Sequence, residues 1–279
     1  MKNSTLKSVD SSLGFLFKSL YFVSILLLIG PILMTLLMSF DSREYMGPFP
    51  PTSFSTRWYE NFFSSRLFMS AAWNSIMIGA MAATLSTIIG LLAAVAFVRY
   101  EFRGKRVIEA LIVSPVIVPG VIVGFSILLF FSSIKYYDGI SRLVFAHALI
   151  SLPFTFRILY NSLQGIPVAL SEAAQSLGAT PRQTFFDVTL PLVRSGIVSS
   201  YLFALALSLD EVAVSIFLVD PRTMTLPITL LANMRNQFDL TIAAASGVLI
   251  FFTIIIIMVA DRLVGLDRVI GQGVYGSKK

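Results

Sequence analysis

Six stretches of this chain are long enough to cross a bilayer and almost free of charge: residues 20–40, 70–98, 107–131, 143–162, 193–218 and 240–261. A helix of roughly 20 apolar residues spans the hydrocarbon, where its backbone must satisfy its own hydrogen bonds. The pattern therefore predicts an all-α membrane protein, a six-helix transmembrane bundle. Composition agrees: 56% of the 279 residues are hydrophobic and 13% charged, against about 25% charged in a soluble domain. His147 and Arg157 interrupt the fourth stretch, and Pro153 should bend it; Pro31, Pro115 and Pro119 are further candidate kinks. The first stretch follows Lys2, Lys7 and Lys18, is longer than the core of a signal peptide and lacks a small-residue cleavage site, so it reads as a retained helix.

The charges set an orientation. With the N-terminus inside, 14 of the 21 Lys and Arg fall on the cytoplasmic side and 7 outside, with a tight cluster at Arg99, Arg103, Lys105 and Arg106. That bias predicts both termini in the cytoplasm. It also accounts for the net charge of +6 without nucleic acid. The expected organisation is a cytoplasmic segment at 1–19, one six-span domain at 20–262 with a cytoplasmic loop at 163–191, and a solvated tail at 263–279. No internal repeat or linker divides it. Cys is absent, which excludes disulfides, thiolate metal sites and cysteine nucleophiles.

The loop between spans four and five has the most consistent local chemistry. Pro167 suits a first helical turn. Leu170, Ala173, Ala174 and Leu177 then follow at i, i+3, i+4 and i+7, an apolar stripe. Gly178 stands where a left-handed C-terminal cap belongs. Thr180-Pro181-Arg182-Gln183 reads as a capping box, opening a second short helix to about Val188, before Pro191 leads into span five. The small Ala173 and Ala174 leave a surface a partner can approach closely. Periodicity alone serves equally a loop that packs on its own bundle.

Glu172-Ala173-Ala174, Gly178 and Leu190-Pro191 resemble the EAA loop of bacterial ABC importer permeases: EAA, three residues, Gly, nine residues, Ile, one residue, Leu-Pro. Val188 replaces the Ile. Asn74-Ser75, the Arg99–Arg106 loop, and His147 with Leu152-Pro153 are similar to the same family. Ser208-Leu209-Asp210-Glu211 with Thr225-Leu226-Pro227 most resembles the second permease of its spermidine/putrescine-type branch. The resemblance implies a multi-pass subunit of the bacterial inner membrane with the type I importer permease fold. Its implied partners are a second permease, commonly making a heterodimer, an extracytoplasmic substrate-binding protein, and two cytoplasmic ATPase subunits that use ATP and Mg. Residues Leu170, Glu172, Ala173, Ala174, Leu177, Gly178, Leu190 and Pro191 would couple this chain to an ATPase. The solute would be a polyamine; an opine, aminoethylphosphonate or ferric iron are the alternatives within the family.

Asp210 and Glu211 lie about 27 Å along span five from Leu192. Carboxylates in a membrane segment are functional candidates, and adjacent helical residues point apart, so one of the two, Asp210, is expected to face a cationic solute. The competing reading makes them interfacial charges or partners of Arg222 or Arg235. His147, the only histidine, has no carboxylate or other ligand at metal spacing and reads as a buried hydrogen-bonding residue. Glu109 is expected to pair with Arg106 or Lys105, Arg157 to reach the interface, and Trp58 and Tyr59 to anchor at the outer one.

Other function classes fare worse. Gly271–Gly276 matches GxGxxG, but no strand precedes it, and no phosphate-binding loop occurs, so this chain binds no nucleotide cofactor and hydrolyses no ATP. The helix-turn-helix look of 167–188 carries one Arg and no Lys, too little for DNA. A secondary transporter or channel would explain six spans equally well, but no internal repeat of the kind such proteins often carry is present and the EAA loop would have no purpose there. An intramembrane enzyme would need a catalytic pair that the sequence does not offer.

Overall fold

The computed structural model describes residues 2–45, 47–236 and 239–264. The GxGxxG decoy, Arg268, Lys278 and Lys279, and the expected tail beyond residue 264 lie outside them. The described residues are almost entirely helical, with one isolated antiparallel bridge between Asp41 and Phe54. In order the helices are α1 (Lys2–Met38), α2 (Arg57–Ser64), α3 (Arg66–Arg99), α4 (Lys105–Ile117), α5 (Gly120–Ser133), α6 (Gly139–Gln164), α7 (Val168–Ser176), α8 (Pro181–Gln183), a π-helical turn (Thr184–Thr189), α9 (Leu190–Leu209), α10 (Ser215–Leu218), α11 (Leu226–Asn236) and α12 (Thr241–Val264).

Among the described residues, five continuous helical stretches are long and apolar enough to cross a membrane: Phe17–Met38, Arg66–Arg99, Gly139–Gln164, Pro181–Leu209 and Thr241–Val259. The sixth predicted crossing, the third in order, is not one helix. It is the pair α4 and α5, bent by 109° at a short break. Pro119 is the reason. A residue before proline is pushed out of the α region; Val118 is extended (φ −83°, ψ 130°) and closes α4, and Pro119 then serves as N-cap of α5. Pro31 and Pro153, by contrast, lie within helices that continue through them.

The chain forms two compact units. One gathers Met1–Ser65 and Asn233–Ile250; the other runs over Arg66–Ala232 and resumes at Phe251. Within the first, Trp58 is 4% exposed and packs with Leu240 and Ala244. Its indole N–H donates to the Asp41 carbonyl at 2.7 Å. Trp58 is thus an internal pin of this unit instead of the lipid-interface anchor its sequence position suggested. Tyr59 and Ser39 share a hydrogen bond at 2.8 Å, and Arg43 pairs with the buried Asp41.

The second unit is built on α3, α6 and α9. Small residues let their backbones approach, as expected where helices pack in lipid. A Cβ on Gly90 of α3 would lie 2.8 Å from Thr155 Oγ1 and 3.1 Å from the Phe156 backbone nitrogen of α6. A Cβ on Gly196 of α9 would lie 2.4 Å from Ser162 Oγ. Two apolar clusters pack in this unit, one around Ile78, Leu143, Val144, Val214 and Leu218, the other around Ala94, Phe97, Phe156, Leu159 and Val193. Asp138 caps α6, accepting from the backbone and hydroxyl of Ser141, and these bonds hold its carboxyl below the usual carboxylate range.

Overpacking the α3–α6 crossing has a definite expected cost. Gly90→Val should destabilise the folded subunit by about 1–3 kcal/mol, whereas Gly30→Ala, where nothing lies within 4 Å, should not. Thermal unfolding of the purified subunit in detergent checks this; equal melting temperatures for the two variants would contradict the close approach.

Candidate functional site

The loop after α6 folds as a rigid elbow because each terminus is locally satisfied. Pro167 (φ −57°, ψ 128°) is the N-cap of α7, one position earlier than a first-turn proline. At the other end Gly178 N–H donates to Gln175 O and Ala179 N–H to Ala174 O, each at 3.0 Å. This paired 5→2 and 6→1 arrangement needs a left-handed residue, and Gly178 supplies it at φ +91°. Thr180 then caps α8: its hydroxyl oxygen accepts from Gln183 N–H at 3.3 Å while Gln183 Oε1 accepts from Thr180 N–H at 2.8 Å.

The second short helix does not stop near Val188. It runs through the π-turn directly into α9, so span five begins at Pro181. Pro191 explains the local geometry. It cannot donate to the carbonyl four residues back, and its ring would crowd that carbonyl in a regular helix. The π-turn just before it shifts the register, with Leu190 N–H donating to Phe185 O, and the helix continues. Thr189, 3% exposed, donates its hydroxyl to Thr184 O at 3.3 Å and accepts from the Arg99 guanidinium. Arg99, one of the basic cluster, therefore ties the end of α3 to the root of the elbow.

What the elbow presents outward is unusual for a loop. Leu177 is 90% and Leu170 44% exposed, and Val168, Glu172 and Ala173 are exposed beside them. Ala174 is half-buried and, with Leu177, Gly178, Ala179, Gln183 and Asp187, lines a shallow depression of about 410 Å³. Leu190 is half-buried and Pro191 exposed at the start of α9. The eight predicted coupling positions thus divide between this exposed surface and the root of α9.

The carboxylate pair departs from expectation. Span five was predicted to run to residue 218; α9 ends at Leu209, and the chain turns before the short α10. Asp210 is the C-cap of α9 (φ −99°, ψ −2°) and exposed. Glu211 is half-buried, and its Oε1 accepts from Val214 N–H at 2.8 Å. The two are distinguished by a broken backbone, not by their angle around a helix. Among the described residues, Arg222 makes no ion pair with Asp210. Glycines of α5 seat the break: a Cβ on Gly124 would lie 2.9 Å from Val214 Cα and O, and one on Gly120 3.1 Å from Ala213 Cβ. Asn74 Nδ2 donates to the carbonyls of Arg222 and Met224, and Ser75 Oγ accepts from Leu226 N–H at 2.8 Å.

The family of binding-protein-dependent transport system inner membrane components matches residues 86–266. The chain belongs to this family. It is accordingly a transport component, a multi-pass protein of the bacterial inner membrane. Among the relatives of this family member is the putrescine transport system permease protein PotI of Escherichia coli K12, 34% identical over 215 residues that cover 75% of this chain and 76% of PotI. The spermidine/putrescine transport system permease protein PotC of Shigella flexneri is 28% identical over 243 residues, covering 87% and 91%. A chain of the bacterial alginate ABC transporter, crystallised with its alginate-bound periplasmic protein, superposes with a TM-score of 0.68 at 18% identity, covering 94% of this chain and 96% of that one; it speaks for the fold, that of a type I importer permease.

Several residues of this permease were assigned differently by sequence, or not at all. Glu109 pairs with Arg157 at 3.6 Å, and Lys105 with Glu101 at 2.7 Å, instead of Glu109 with Lys105 or Arg106. Thr184 and Thr189 at the π-turn gave no signal beyond Pro191, and Arg99 was read only as part of the basic cluster, not as a partner of Thr189. Of the two serines that flank Asp210 and Glu211 and meet His147, Ser208 was visible only as part of the family resemblance and Ser215 not at all.

The elbow's rigidity is measurable. A Cβ at Gly178 meets nothing within 4 Å, so Gly178→Ala should cost only conformational strain, about 1 kcal/mol. Thr180→Ala should cost about 1 kcal/mol through loss of the cap. Amide exchange over residues 179–189 should accelerate about fivefold in either variant; unchanged protection would mean the caps do not hold this segment.

Proposed function

We propose that this chain is a permease subunit of an ATP-driven polyamine importer. It has both termini in the cytoplasm and works with a second permease, an extracytoplasmic binding protein and two ATPase subunits that carry the ATP and Mg chemistry. The observation that carries the reading is the exposed, doubly capped elbow joined without a break to α9. Exposed leucines on a short rigid helix mark a surface built for a partner, and a helix continuous with a membrane span transmits displacement as a unit. In this reading Glu172 makes the polar contact with the ATPase, Leu170 and Leu177 pack against it, and Ala173 and Ala174 allow close approach. Gly178 sets the turn, and Leu190-Pro191 passes the motion into the bundle.

For the solute, support comes from the relatives named for putrescine and spermidine and from the chemistry at Asp210. The last carbonyls of a helix carry partial negative charge. Asp210 adds a carboxylate at that end of α9, within a broken membrane segment, which is where transporters place ion and substrate contacts. A dication is drawn to such a place, and an anion is repelled.

Glu172→Lys and Gly178→Asp should each abolish most ATP-driven putrescine uptake in cells while the subunit still inserts and accumulates. Wild-type uptake by both would remove the coupling role. Asp210→Asn should lower uptake about tenfold, the scale of losing a hydrogen bond to a charged group, with the ATPase still assembled. Unchanged uptake would remove Asp210 from the pathway.

A further inference from the structure

Among the described residues of the second unit His147 is the least exposed ionisable group, at 1% of its surface. It lies on α6, about two turns from the start of that helix. Both of its ring nitrogens are engaged: Nδ1 lies 2.6 Å from Ser208 Oγ and Nε2 lies 2.8 Å from Ser215 Oγ. Those serines bracket the break in span five, Ser208 in the last turn of α9 and Ser215 at the start of α10.

The direction of each hydrogen bond follows from proton bookkeeping. Ser215 Oγ donates its only proton to the Glu211 carbonyl at 2.9 Å, so toward His147 it can only accept. Nε2 is then the protonated nitrogen, and Nδ1 accepts from the Ser208 hydroxyl. The neutral imidazole thus has one donor and one acceptor, and both are used on the two sides of Asp210-Glu211. Through Ser215 the chain of bonds ends on the Glu211 backbone, and the Glu211 carboxylate in turn holds Val214 N–H. Gly79 of α3 closes the other side: a Cβ there would lie 3.4 Å from Ser208 Oγ.

We propose that His147 is a positioning residue for translocation: by bridging Ser208 and Ser215 it fixes the backbone between them, and with it the direction in which Asp210 meets the passing cation. This rests on the reading of Asp210 as a pathway residue. An aliphatic side chain of similar volume fills the space but holds neither serine. Glutamine presents one amide donor and one acceptor and can hold both.

The test uses the complete transporter, with its partner permease, ATPases and binding protein, in vesicles with putrescine as probe. Putrescine uptake is followed beside binding-protein-stimulated ATP hydrolysis. His147→Leu should lower uptake about tenfold with ATP hydrolysis largely kept, and His147→Gln should recover to within about threefold of wild type. Because His147 acts through Asp210, the double variant H147L/D210N should transport no worse than the poorer single one; independent losses would instead multiply to about a hundredfold. If His147→Leu does not assemble, the smaller change S208A/S215A replaces it in the same cycle. Wild-type uptake without the imidazole, failure of glutamine to rescue, or multiplicative losses would each overturn the positioning role while D210N still falls. Wild-type uptake by D210N alone would instead overturn the pathway reading, and the positioning role with it.

Discussion

The constraint on which this architecture depends is that a backbone polar group freed inside an apolar slab must find a partner within the protein. A continuous helix meets the constraint by itself. A broken one does not, and the second unit contains two breaks, between α4 and α5 and after Leu209. The side chains that answer the second break come from several directions. Glu211 takes the Val214 amide, Ser215 serves the Glu211 carbonyl, Asn74 serves the carbonyls of Arg222 and Met224, and Ser75 takes the Leu226 amide. Arg142, 8% exposed, reaches the Leu218 carbonyl at 3.4 Å. Polar residues that look costly in an apolar sequence are thus the ones that make an irregular segment tenable there.

That economy explains where the sequence is readable and where it is not. The elbow was legible almost residue by residue because its determinants are local: a proline before α7, a glycine at φ +91°, and a threonine three positions before Gln183. Each acts over four or five residues and leaves a fixed spacing. The break in the third span was half-legible, since Pro119 dictates the conformation of Val118, but the size of the bend depends on what the two halves pack against. The break in the fifth span was illegible. Residues 202–219 are apolar apart from Ser208, Asp210, Glu211 and Ser215, and nothing nearby in sequence ends a helix at Leu209. The chain turns there because Gly120 and Gly124 make room for Ala213 and Val214, about 90 residues away in sequence.

The same distinction separates the two halves of the candidate site. The elbow is held mainly by its own caps, and its root is fastened by the Arg99–Thr189 hydrogen bond and by Leu190 packing on the Phe97–Val193 cluster, so its shape depends largely on local contacts. The Asp210 segment is held by α3, α5 and α6 together, so its shape must follow theirs. One element is suited to receive a push as a rigid body, and the other to change what it presents when its neighbours shift. α9 joins them: the π-turn lies at one end and Asp210 at the other, with 20 residues, roughly 30 Å of helix, between.

The π-turn fixes how α9 is held where the elbow enters it. A π-turn is one residue wider than the helix it interrupts, and such insertions recur at functional positions. Here it follows from Pro191, which lacks the donor that a regular turn would need, and it is stapled by Thr189 to Thr184 O and to Arg99. The elbow is therefore fastened to α3 at the level where it enters α9. At this end a hydrogen bond joins α3 to the root of α9, while at the far end Gly79 of α3 and His147 of α6 approach Ser208 from separate helices. Ser208, two residues before the carboxylate, is thus a point where α3, α6 and α9 meet.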